Sequence, residues 1–324
     1  LNTEPATLSR TGTQPVLGTM NFGDTVDRTG AARMLDTALE SGVTDIDTAN
    51  GYSGGAAEEM LGELLAHRRN RVTLATKVGI PHPDAGEHPP LSAPALRACV
   101  RGSLERLGVE HIDVLYLHQP DRATPLDETL STVSELVTEG RIGALGVSNF
   151  AAWQIAEINR TADLLGAPRP RVAQQLHNLL ARRVEEEYTE FATTTGLSTM
   201  VYNPLAGGLL TGRHHFSSTP GAGRFGDSRL AGMYTERYWN PELFEAVDRL
   251  HEIAAGAGLT MPELALRWLL GQPTTDALLL GASSEKQLTS NLDAVRAGAL
   301  PHDVAAACDE VGKTLRGPMP AYNR

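Results

Sequence analysis

The sequence is poor in cysteine, in aromatic residues and in long apolar runs. Cys99 and Cys308 are its two cysteines, too few for a disulfide framework, which fits a reducing compartment. No apolar run approaches the roughly 20 residues that a membrane-spanning helix needs. The opening LNTEPATLSRTG is polar and lacks an apolar signal-peptide core. A soluble cytoplasmic protein is the expectation. Excess positive charge is also missing: 28 Lys and Arg face 39 Asp and Glu, a net charge of -11. Nucleic acid and anionic membrane surfaces select basic proteins, so neither is an expected partner. A small anionic substrate is not excluded, because a few local arginines can override the global field. No Gly-x-Gly-x-x-Gly opens a βαβ unit, which excludes a Rossmann-type dinucleotide site.

What is present is ordinary globular composition, 41% hydrophobic and 21% charged over 324 residues. Short β-rich runs alternate with longer amphipathic ones. The strands expected are Val16–Met20, Thr44–Asp47, Val72–Lys77, Ile112–Leu117, Ala144–Val147, Val172–Leu176, Thr199–Asn203 and Ala277–Leu280. Helical patterns fall at Thr29–Ser41, Ala93–Leu107, Leu126–Glu139, Ala151–Leu165 and Arg182–Thr195, and later at Pro241–Gly256, Met261–Leu270, Glu285–Ala297 and His302–Leu315. Eight βα units without a linker-like break imply a closed (β/α)8 TIM barrel, an α/β fold forming a single domain over residues 1–324. The longest irregular stretch, Pro204 to about Asn240, follows the seventh strand and would overhang the catalytic face.

In such a barrel, functional residues come from the C-terminal ends of strands. Asp47, Tyr52, Lys77 and His118 all fall at or just past such ends. Singly, each has an ordinary reading as a cap, a solvated strand end or a loop residue. Together they make a carbonyl-reduction site. A tyrosine hydroxyl donates the proton that the developing alkoxide needs, although its reference pKa of about 10 is high for that task. A lysine ammonium beside it lowers that value. An aspartate fixes the lysine, and a histidine orients the carbonyl.

The segments LGTMNFG, DIDTANGY, LATK, DVLYLHQPD, GRIGALGVSNF, YNPLAGGLLTGR and LLLGASSEKQLTSNL, in this order, resemble the motif series of the aldo-keto reductase superfamily. The resemblance runs from about Val16 to the C-terminus. It is strongest to the aflatoxin-aldehyde and succinic-semialdehyde reductase branch, through GRFGDSRLAGMYTERYWN and the terminal PAYNR. It implies that Tyr52 is the general acid, Lys77 its partner, Asp47 the partner of Lys77, and His118 the group that orients the substrate. It implies an NADPH cofactor across the barrel mouth. Asp47, Ser148, Asn149, Gln175 and Tyr202 would surround the nicotinamide. Asn203, Pro204, Leu205, Gly207, Gly208, Leu210, Gly212 and Arg213 would cover the pyrophosphate, with Arg224 nearby. Gly281, Ser283, Ser284, Lys286, Gln287 and Asn291 would meet the adenosine 2′-phosphate at a helix N-terminus.

The same resemblance implies that Tyr234, Arg237 and Arg324 hold a substrate carboxylate, so an acidic aldehyde such as a semialdehyde is the first expectation. Two departures stand out. His177 replaces a usual tyrosine, and VGIPHPDAGEHPP after Lys77 lacks the expected large aromatic. His82 and His88 in that loop, and His214-His215, have no convergent set that would make them metal ligands. Other readings stay open. They are reduction of a nucleotide-linked keto-sugar or polyketide-type ketone, an NADPH-binding redox-sensing regulatory subunit, and Schiff-base chemistry at Lys77. A homo-oligomer is also left open.

Overall fold

The structure, a computed structural model, describes residues 13–218 and 220–317. Eight parallel strands close on themselves in sequence order: β1 Gln14–Gly18, β2 Asp45–Asp47, β3 Thr73–Val78, β4 Ile112–Leu117, β5 Ile142–Ser148, β6 Val172–Leu176, β7 Ser198–Tyr202 and β8 Ala277–Leu280. The expected (β/α)8 barrel is present. Closure is by β1 on β8, with Gln14 opposite Ala277 and Leu17 opposite Leu280.

Helices wrap the outside: α1 Arg28–Glu40, α2 Ala56–Leu65, α3 Ala93–Leu107, α4 Leu126–Thr138, α5 Ala152–Leu165, α6 Tyr188–Thr195, α7 Ala231–Tyr238, α8 Pro241–Gly256, α9 Met261–Leu270, α10 Glu285–Arg296 and α11 His302–Leu315. Their ends follow local chemistry. Asn240 accepts from the Leu243 N–H ahead of α8, with Pro241 as the first helical residue. Thr260 and Glu263 cap each other's backbone N–H groups at α9.

Period-two alternation divides two cores. In β4, Leu115 and Leu117 pack outward under the helices. Val114 and Tyr116 point inward and meet Val16, Ala75, Ala144, Val172 and Met200 in the barrel centre. The filled interior makes this a packed core with its chemistry at the rim.

Two expectations are adjusted. Arg182–Thr195 splits into a 3-10 turn at Arg183–Glu185 and a shorter α6. The stretch from Pro204 to Asn240 is not irregular throughout: it holds a 3-10 segment, Ala206–Thr211, and α7. Helix α7 shows little periodicity because only Tyr234 and Tyr238, four residues apart, are buried on it. Both cysteines are buried and free. Among the described residues, no helix is long and apolar enough to cross a membrane.

Candidate active site

At the C-terminal end of the barrel, β2, β3 and β4 deliver three polar groups to one point. Asp47 is the last residue of β2, Lys77 lies next to the end of β3, and His118 directly follows β4. Tyr52 opens the short 3-10 turn Tyr52–Gly55, and Ser53 within it takes a left-handed φ of 51°. Lys77 Nζ donates to Asp47 Oδ1, to the Thr48 carbonyl at 2.9 Å and to the Tyr52 hydroxyl at 3.1 Å. The Tyr52 and His118 rings meet edge-on, 6.1 Å between centroids. The four side chains singled out in the sequence therefore converge.

Their electrostatics follow from burial. Asp47 and Lys77 are 0% and 1% exposed. Burial raises the Asp47 carboxyl above the usual carboxylate value, against the pull of Lys77 and Gln174. Burial alone would lower the Lys77 ammonium, but Asp47 and Tyr52 more than restore it, so it is held above the ordinary lysine value. For Tyr52 the net direction corrects the expectation from sequence. Burial raises the hydroxyl above the usual tyrosine value, and Lys77 opposes that shift without reversing it. Tyr52 thus stays protonated at neutral pH, as a proton donor must. His118 is pushed down to about 3 by burial and by the Lys77 charge, so its ring is neutral. Its Nδ1 is buried with no protein partner.

The family resemblance assigned Gln175 of β6 to the nicotinamide, yet the strand turns that amide outward. Gln175 Nε2 donates to the Phe150 carbonyl at 2.8 Å. Gln174 is the residue that faces the tetrad, and its Nε2 donates to Asp47 Oδ2. The signal lay in the alternation. Val172 packs in the barrel centre, so the residue two positions on shares its face and Gln175 does not. His177 also leaves the site: it is 2% exposed, with Nε2 2.9 Å from Glu185 and its ring against Trp268.

The rim beside the tetrad is tightly tied. Asn149 takes a left-handed φ of 65°, donates to the His118 carbonyl at 3.0 Å and to Ser148 Oγ at 3.1 Å, and accepts from the Tyr202 hydroxyl at 2.6 Å. Burial raises Tyr202 to about 12. Asn203, at φ 58°, accepts the Gly207 N–H at 2.7 Å and donates to the Tyr238 hydroxyl at 2.9 Å. Pro204 and Leu210 are buried and Leu205 is partly so. A side chain at Gly207 would collide with the Tyr234 ring, 2.4 Å from an added Cβ, so only glycine lets that backbone approach. Gly208 and Gly212 also take positive φ, and Arg213 is exposed with Nε on Thr211.

Farther along, Arg224 donates to Asn21 Oδ1 and lies 5.1 Å over the Tyr234 ring, while Ser228 donates to Asp24 Oδ2 at 2.8 Å. These contacts draw the loop after β7 across to the loop after β1. Arg237 is exposed and sits 5.9 Å from the centre of the buried Tyr234 ring. Arg324 lies outside the described residues. After β8, Gly281, Ser283, Ser284 and Lys286 are exposed and Asn291 is buried. Ser284 caps α10, and Gln287 Oε1 accepts from Ser283 Oγ at 2.9 Å.

Known proteins are similar to this chain along most of its length. The profile of the aldo/keto reductase family matches residues 16–313. The human protein named aldo-keto reductase family 7 member A3 is 37% identical, over 98% of this chain and 99% of its own length. Human aflatoxin B1 aldehyde reductase member 2 is 36% identical, over 95% and 89%. A probable voltage-gated potassium channel subunit beta of Arabidopsis thaliana is 32% identical, over 85% of each chain. With the family profile over most of its length and relatives this similar end to end, the chain belongs to the aldo/keto reductase family, enzymes that reduce aldehydes and ketones with a nicotinamide cofactor.

Proposed function

We propose that this protein reduces an aldehyde or ketone with NADPH, using Tyr52 as the proton donor. The observation that carries this is the Tyr52 hydroxyl 3.1 Å from Lys77 Nζ, with Lys77 itself fixed by Asp47. When bound, the cofactor supplies the hydride. The chain's own residues do the rest. A carbonyl oxygen between Tyr52 and His118 accepts from the hydroxyl and from the neutral imidazole. Both donors strengthen their bonds as charge develops on that oxygen. As Tyr52 gives up its proton, the Lys77 ammonium stabilises the tyrosinate, and Asp47 keeps Lys77 in place with Gln174 behind it.

The rim fits a dinucleotide. Ser148, Asn149 and Tyr202 place hydroxyl and amide groups beside the tetrad, and Gly207, Gly208 and Gly212 bring bare backbone to the mouth. Lys286 at the start of α10 is exposed, which supports NADPH over NADH through the extra phosphate. Ser284 and Gln287 are engaged in capping, so Lys286 carries more of that preference than the sequence pattern implies.

The exposed Arg237 beside Tyr234 supports an acidic aldehyde, whose carboxylate its guanidinium would grip in a two-pronged fork. The similarity to channel β subunits favours a second reading, an NADPH-binding regulatory subunit. NADPH oxidation against a panel of acidic and neutral aldehydes and ketones separates the two. Turnover that vanishes in Tyr52→Phe supports the reductase. Tight NADPH binding with no turnover on any substrate supports the regulator.

A further inference from the structure

Behind the Tyr52 loop lies a second buried polar cluster, which carbonyl reduction does not use. On α3, Cys99, Ser103 and Arg106 recur at helical spacing and share one face. Arg106 donates from Nε to Glu58 Oε2 at 2.8 Å and from Nη1 to Asp84 Oδ2 at 2.9 Å. Glycine at 102 makes that approach possible, since an added Cβ would stand 2.2 Å from Asp84 Oδ2. Into the same space comes His82, its side chain 6% exposed and its Nε2 buried with no partner. A ring nitrogen of His82, a carboxylate oxygen of Asp84 and Cys99 Sγ lie within 4.8 Å of one another. The sequence reading found no convergent set for His82; the fold supplies one.

We propose that His82, Asp84 and Cys99 form a binding site for a zinc-class divalent cation. One imidazole nitrogen, one carboxylate and one thiolate are a donor set that zinc favours over magnesium or calcium, which select oxygen. Formal charge agrees. Glu58 and Asp84 carry two negative charges against one on Arg106, which donates to both, so the group keeps one net negative charge. Asp84 is 24% exposed and offers an entry path from solvent.

Tetrahedral zinc sets its ligand atoms roughly 3.3–3.8 Å apart, so binding needs a contraction of no more than roughly 1–1.5 Å, and His82 Nδ1 and Asp84 Oδ2 already stand 3.3 Å apart. The loop that carries His82 and Asp84 has left-handed glycines on both sides, Gly79 and Gly86, which allow that adjustment. Coordination needs the thiolate. Burial pushes the Cys99 thiol up to about 11, so binding releases its proton to solvent as the sulfur–metal bond forms. The site also reaches the catalytic loop. Asn50, two residues before Tyr52, lies against the Cys99 thiol and donates its N–H to the Lys77 carbonyl at 3.1 Å.

The test does not depend on the reductase reading, because it reads metal binding alone. The untagged full chain is titrated with Co2+, and the thiolate-to-cobalt charge-transfer absorption is followed, with Zn2+ added afterwards as competitor. The expected result is one equivalent bound per chain, displaced by Zn2+, with the absorption unchanged in Cys308→Ser and lost in Cys99→Ser. His82→Gln, on a surface loop and checked for native circular dichroism, is expected to weaken binding at least about tenfold, the loss of one ligand. Absent thiolate absorption in the wild type overturns the proposal. So does absorption that persists in Cys99→Ser, or unchanged affinity in a folded His82→Gln protein.

Discussion

The barrel mouth carries two kinds of polar residue. The tetrad side, at the ends of β2, β3 and β4, is buried: Asp47 and Lys77 are essentially without solvent contact, and strand ends fix them. The side formed by the loop after β7 and the start of α10 presents Arg213, Arg237 and Lys286 to solvent. The first kind is costly to desolvate, so it holds together only as a set. The second is inexpensive to change. On the proposed function, chemistry rests on the rigid side and selectivity on the exposed side.

The largest effect tests the rigid side. Tyr52→Phe removes the proton and leaves the ring, so kcat is expected to fall by about 10^2 to 10^4, the usual range for loss of a general acid. NADPH affinity measured by fluorescence stays unchanged. A variant that retains wild-type kcat overturns the assignment.

Next comes the β6 pair, where two adjacent glutamines take opposite faces. Gln174→Leu leaves Asp47 Oδ2 without its amide donor inside the barrel, a penalty of about 1–3 kcal/mol, and is expected to lower both thermal stability and kcat. Gln175→Leu breaks only the bond to the Phe150 carbonyl and leaves kcat less affected. Equal losses of kcat in the two variants would show that the facing of β6 does not decide the site.

How much of this was legible in the sequence also follows that division. The tetrad could be read because strand ends are easy to place and four side chains, each ordinary alone, fall at or just past them in a combination that suits one chemistry. The register inside β6 could be read from alternation, since Val172 marks the inner face, but the motif resemblance pointed to Gln175 instead. The position of His177 could not be read, because its partners Glu185 and Trp268 come from a later turn and a distant helix. Nor could the grouping of His82 with Cys99, which depends on how α3 packs. The net direction of the Tyr52 shift required burial, a property of the fold that the nearby Lys77 only moderates.

A pH experiment sharpens the comparison further. His118 has a folded value of about 3 against an unfolded value near 6.5. The unfolded chain therefore binds a proton that the native site refuses. The stability from keeping this ring neutral is fully present above about pH 6.5 and is lost progressively as pH falls toward 3. Between pH 6.5 and 5 the loss is about 2 kcal/mol. Urea denaturation of wild type and His118→Gln at both pH values isolates it. A difference between the two proteins that does not change with pH would mean that His118 titrates normally.

On the exposed side, Arg237→Ala is expected to raise KM for acidic aldehydes about tenfold, the lower range for a charge-assisted pair, and to leave neutral aldehydes alone. An unchanged ratio of the two substrate classes removes the carboxylate grip.

The smallest effect belongs to Lys286. It is exposed at the first turn of α10, where solvent screens its charge and the helix N-terminus shares the work of holding an anion. Lys286→Ala is expected to weaken NADPH by roughly two- to fivefold, matching about 0.3–1 kcal/mol for an exposed charge near a helix end. NADH, without the additional phosphate, should not respond, and the NADPH loss should shrink as salt rises. Equal weakening of both cofactors would place Lys286 on a shared part of the dinucleotide and leave the capped Ser283–Gln287 turn as the reader of the phosphate.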